Sequence, residues 1–155
     1  MATRYRDFSR LTGLTALSLV AACSADVRKG PSISDDRTRV PAVLAFYGDT
    51  TTVELPAATR VGEATTLRFT SFAGGCIRKD STEAAMAGLT AEVRPFRRDP
   101  SRIKKDIICT LELRLDNNVV ELRFAEAGRA TVRIVGLAQP GDHRFVVERE
   151  IEVTP

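Results

Sequence analysis

Hydrophobic patterning divides the 155-residue chain into three regimes. From Leu11 to Cys23 no charged residue occurs, and Leu, Ala and Thr dominate. From Ser24 to Val40 the chain is polar and without apolar periodicity. From Pro41 to Pro155 short segments alternate with period two, which places successive side chains on opposite faces of a strand. Leu67 and Phe69 oppose Arg68, and Ala91 and Val93 oppose Glu92 and Arg94. Cys109, Leu111, Leu113 and Leu115 share a face against Thr110, Glu112 and Arg114. Val120, Leu122 and Phe124 do so against Glu121 and Arg123. Ala130, Val132 and Ile134 precede a last strand in which Glu148, Glu150 and Glu152 alternate with Arg149, Ile151 and Val153.

Turn chemistry separates these segments. Val61-Gly62-Glu63, Ala73-Gly74-Gly75-Cys76, Glu126-Ala127-Gly128 and Gln139-Pro140-Gly141-Asp142 are turn signals, and Asp116-Asn117-Asn118 reads as a hairpin turn. Pro95 is expected to interrupt its strand. Ala42–Phe46 reads as an edge strand, Thr51–Leu55 as a β-branched one, and Ser81–Ala87 as the one candidate for a helix. Seven to eight short strands at spacings of roughly ten residues predict an all-β fold, a single antiparallel β-sandwich or barrel. The stretch from Phe124 to Ile134, an apolar strand, a glycine turn and a Thr-Val-x-Ile strand, resembles the late strands of bacterial immunoglobulin-like domains. That resemblance implies an immunoglobulin-like sandwich over 41–155, although the Trp of that fold is absent. A chain of this size supports one core.

The uncharged run has a separate meaning. It follows Arg4, Arg6 and Arg10 and is too short for a membrane span, which needs roughly 20 apolar residues. A positive start, an apolar run and small residues at its end mark a secretory signal peptide. Val20-Ala21-Ala22-Cys23 resembles the lipobox of bacterial lipoprotein precursors. The resemblance implies a helical signal peptide over 1–22, cleavage before Cys23, and a diacylglycerol and a fatty acyl chain on Cys23, with no other cofactor. Residues 23–40 then read as a lipidated terminus and flexible tether, whose polar part reaches roughly 20–25 Å as a coil. Membrane attachment in the cell envelope follows, and Ser24 implies the outer membrane if the cell is Gram-negative.

Charge changes the picture once the signal is removed. The full chain has 23 basic and 20 acidic residues, but without residues 1–22 the counts are 20 and 19. A net charge of about +1 lacks the excess that a nucleic-acid binder needs. If Cys23 carries lipid, Cys76 and Cys109 remain as an even pair that an oxidising compartment lets join. Two separate buried thiols are the alternative, and no zinc-type spacing is present.

Candidate chemistry is sparse. His143, the only histidine, sits beside Asp142 in a turn, and no nucleophile motif accompanies it. Neither a catalytic nor a metal-ligating set emerges, and the strand carboxylates read as cross-strand partners of arginines. The less ordinary feature is Arg97, Arg98, Arg102, Lys104 and Lys105, five cations in a loop before Cys109. Such a loop fits an anionic partner, whether lipid head groups, an anionic polymer or an acidic envelope protein. The reading is therefore a lipid-anchored binding or structural module. Its rivals are a small hydrolase using unidentified carboxylates and an assembly accessory that pairs through an edge such as Ala42–Phe46.

Overall fold

The computed structural model describes residues 38–102, 106 and 108–155. The putting-in and putting-out of alternate side chains organises everything within them. In β6 (Thr65–Ala73), Leu67 and Phe69 are buried while Arg68 is exposed. β6 pairs antiparallel with β9 (Arg114–Leu122) over its whole length, from Thr65↔Leu122 to Ala73↔Arg114. β7 (Arg78–Ala87) and β8 (Thr90–Arg98) form one hairpin, and β10 (Gly128–Gln139) and β11 (His143–Thr154) form another. Four short strands, β1 (Arg39–Pro41), β3 (Asp49–Thr50), β4 (Val53–Glu54) and β5 (Ala58–Arg60), and the four-residue β2 (Val43–Phe46) complete an 11-stranded sheet.

The sheet curls around one core. β10 carries β11 along one edge, with β8 and then β2 along the other. β1 lies against the end of β8, and the chain then steps across at Ala42. There Ala42 N–H donates to the Pro95 carbonyl and its own carbonyl accepts from Leu137 N–H. β2 also touches β6 through Val43↔Phe72, joining the β8–β10–β11 limb to the β6–β9 limb. Leu44, Leu67, Phe69, Val93, Leu122, Phe124, Val132, Ile134 and Ile151 meet in a single buried cluster drawn from both limbs. Each such side chain contributes roughly 1.5–3 kcal/mol by leaving water. Among the described residues no helix is long and apolar enough to cross a membrane.

The all-β prediction holds, as do the inward sets of β6, β8 and β10 and the turns at Gly62, Gly74 and Gly141. Several expectations do not. The sheet is mixed rather than antiparallel: β8 and β2 run parallel to β10, and β5 runs parallel to β11. Alternation reports which face is buried, and it carries no information on strand direction. Among the described residues there are eleven strands instead of seven to eight, because two- and three-residue pairings leave no periodic trace. Only Val53–Glu54 of the Thr51–Leu55 run is strand. Ala42–Phe46 is interior, flanked by β10 and β6. Ser81–Ala87 belongs to β7, so pairing with β8 overrides its helix-forming alanines.

Pro95 does not stop β8. It lies opposite Thr82, where a register shift between Lys79 and Thr82 bulges β7, and a bulge tolerates a missing amide donor. Asp116-Asn117-Asn118 is strand, not turn, opposite Ser71, Thr70 and Phe69. Residues 108–113 carry no strand, and Leu111, Leu113 and Leu115 face outward. Strand pairing begins at Arg39, two residues ahead of the expected boundary at 41.

Candidate surface at the disulfide-pinned end

The turn after β6 approaches the segment before β9 closely. A Cβ on Gly74 would lie 2.0 Å from the Glu112 carbonyl oxygen, so only glycine lets the two backbones meet. Gly75, at φ +56°, has the same relation to the Thr110 carbonyl oxygen. Next to this contact the Cys76 and Cys109 sulfurs are at disulfide distance, with Cα atoms 5.2 Å apart. Arg114 Nη2 donates to the Ile77 carbonyl at 3.2 Å and fastens the far side of the segment.

Residues 108–115 are thus held to the sheet while presenting apolar side chains to water. Ile108 is 98% exposed, Leu113 57%, and Leu111 fully. Apolar side chains left in water on a tied-down segment make it a candidate interaction surface. Beside it lies a cleft of about 250 Å³ between the ends of β2, β6, β8 and β10. Phe46, Phe72 and Ile77 supply its apolar wall, and Arg97, Asp99, Glu112 and Asp142 its charges. Asp99 Oδ1 accepts the Ser101 backbone N–H at 3.1 Å, and Gln139 donates to Asp142, so two of these carboxylates hold turns in place.

The expected five-cation loop is not one feature. Arg97 continues the inward series Ala91, Val93, Pro95 of β8 and is only 7% exposed, inside the cleft. Arg98 points to the other face, where its Nε donates to Asp80 Oδ1 at 2.7 Å. Neither is a free loop cation, because both fall within a strand whose alternation the neighbouring charges had masked. Arg102 ends the 3-10 turn Pro100–Arg102, whereas Lys104, Lys105 and Cys23 lie outside the described residues. His143 is exposed at the start of β11, in the turn that carries Asp142. No protein-family model, curated protein or solved structure matches the chain.

Sequence reasoning missed Asp80. The β7 bulge turns its carboxylate between two arginines: Arg39 Nε donates to Oδ2 at 3.0 Å while Arg98 holds Oδ1. Arg39 also donates to Ser81 Oγ at 2.9 Å, pairs with Glu83, and lies with its Cζ 3.7 Å above the Phe96 ring. Partial burial pushes the Asp80 carboxyl up, but hydrogen bonds from Arg98 and then Arg39, with the charges behind them, outweigh it. The net result is a carboxyl held below its ordinary value. Bridging two strands is a structural task, and no periodic signal announces a residue that sits at a bulge.

Proposed function

We propose that the protein is a lipid-anchored component of the bacterial cell envelope, attached through acylated Cys23 and a short tether. Its β-domain, read as an immunoglobulin-like sandwich, serves as a binding module. One buried cluster shared by two limbs of a curled sheet supports the sandwich reading. The observation that carries the binding reading is the exposed apolar strip Ile108, Leu111 and Leu113 on a segment pinned by Cys76–Cys109 and the Gly74 contact. Arg102, Lys104 and Lys105 precede that strip in sequence, so an anionic partner with an apolar component suits it. Anionic lipids, through head group and acyl chain, and an acidic envelope protein with an apolar face have that chemistry, whereas an anionic wall polymer would engage the cations alone. A second reading, a small envelope hydrolase, draws on Asp99, Glu112 and Asp142 lining one cleft.

Two sets of substitutions separate the readings. Changing Leu111 and Leu113 to Ser, or Arg102, Lys104 and Lys105 to Glu, is expected to weaken binding to anionic lipid vesicles or isolated envelope fractions. The same changes should leave thermal stability unaltered. Unchanged binding in both sets refutes the module reading. Hydrolysis of an envelope substrate that is abolished by Glu112→Gln would favour the hydrolase.

A further inference from the structure

The second half of β7, Glu83–Ala87, is exposed at every position, and among the described residues the strand ladder of β7 is formed with β8 alone. Gly88 and Leu89 form a two-residue turn closed by Ala87↔Thr90. Gly88 has φ +57° and Leu89 does not share a positive φ, which is the type II′ pattern. In such a hairpin the closing pair exchanges hydrogen bonds, and bonded pairs alternate with unbonded ones along the ladder. Ala87, Ala85 and Glu83 therefore turn their amides toward β8. The amides and carbonyls of Met86 and Ala84 point to the open edge.

Edges of this kind are ordinarily blunted by charge, proline or a bulge. The first half of β7 is blunted. It contains the bulge, Lys79 Nζ donates to the Asn117 carbonyl at 2.6 Å, and Thr82 Oγ1 donates to Asn118 Oδ1 at 3.0 Å, so β9 covers it. The second half has no proline and one charge, Glu83, which Arg39 neutralises. Its other side chains are Ala84, Ala85, Met86 and Ala87.

We propose that this edge pairs with the same edge of a second copy, antiparallel and centred on Ala85. In that register Ala84 and Met86′ face each other as hydrogen-bonded pairs, giving about four new main-chain bonds. Ala85 faces Ala85′ and Glu83 faces Ala87′, so no like charges oppose one another directly or diagonally. A foreign strand would need side-chain pockets for selection, and a row of alanines provides none. A like row provides a flat match.

The test uses the full chain in detergent, with mass followed by light scattering across a concentration series. Wild type should dimerise. Ala84→Pro removes an edge donor that β8 does not use, so it should weaken the dimer about a hundredfold, two donors being lost per dimer, with unchanged circular dichroism. Independently, Ala85→Cys should cross-link to itself under mild oxidation, because facing Cα atoms in an unbonded pair lie about 4.5 Å apart, within disulfide reach. Ala87→Cys, equally exposed but facing Glu83′, should not. A monomeric wild type overturns the proposal, including one that instead captures an added extended peptide. So does equal cross-linking at 85 and 87, and the cysteine comparison decides even if Ala84→Pro misfolds.

Discussion

Asn118 shows what one polar side chain does in an otherwise apolar interior. It is 1% exposed, its Nδ2 donates to Ser71 Oγ at 3.0 Å and to the Asp116 carbonyl at 3.2 Å, and its Oδ1 accepts from Thr82. Because β6, β7 and β9 are tied through it, Asn118→Ala strands two hydroxyls as well as leaving space. The expected cost is about 2–3 kcal/mol in urea unfolding, and Asn118→Asp should not restore it, since a buried carboxylate cannot donate to the Asp116 carbonyl. Asp80 makes a pH prediction. Its folded value lies below its unfolded one, so its contribution is present above the ordinary carboxyl range and is lost as pH falls through the folded value. Asp80→Asn should therefore destabilise by about 1 kcal/mol at pH 7 and flatten the acid limb of the stability curve below about pH 4, as denaturation across pH would record. Neither role was legible beforehand. An Asp-Asn-Asn run has the composition of a turn, and only the partners at Ser71 and Thr82, distant in sequence, make it a strand.

At the scale of elements, the inward faces of β6, β8 and β10 and the turns at Gly62, Gly74 and Gly141 were legible, whereas β7 read in part as a helix and Asp116–Asn118 of β9 as a turn. β6, β8 and β10 each carry an unbroken inward series, and burial of one face imposes it locally. Residues 109–113 carry the same alternation with no buried face behind it, so their leucines imitate a strand and end up in water. What fixes that segment is a covalent bond and two glycines, features that periodicity does not encode. Residues 76 and 109 are 33 apart in sequence, and closing a loop of that length stabilises by roughly 3–4 kcal/mol in the chain-entropy account. Replacing both cysteines with Ala should lower stability by that amount in calorimetry. Gly74→Ala should prise the segment from the sheet even with the disulfide intact, because its Cβ would overlap the Glu112 carbonyl. Hydrogen exchange would then rise at the Ala73–Arg114 end of the β6–β9 ladder, next to the displaced segment, while β10 amides stay protected.

For the whole molecule, the class and the single core followed from alternation and chain length, whereas strand direction and neighbours depend on crossovers such as the Ala42 step, which no local pattern specifies. The N-terminal reading rests on different physics. Each methylene buried in a bilayer contributes about 0.8 kcal/mol, and one acyl chain holds only marginally, so stable attachment needs the two or three chains that the Cys23 motif implies. Among the described residues no helix is long and apolar enough to cross a membrane. Attachment should consequently depend on one sulfur. Intact-mass measurement of membrane-extracted protein is expected to give a chain beginning at Cys23 with added acyl mass and with two hydrogens missing from the Cys76–Cys109 pair. Cys23→Ser should move the domain from the membrane pellet to the supernatant with its far-UV spectrum unchanged, because the substitution lies outside the β-domain. If Cys23→Ser protein stays in the pellet, or the extracted chain retains its first 22 residues, something other than acylation holds the protein in place. The exposed strip at Ile108–Leu113 would then be the first surface to examine, by repeating the fractionation with Leu111 and Leu113 changed to Ser in the same chain.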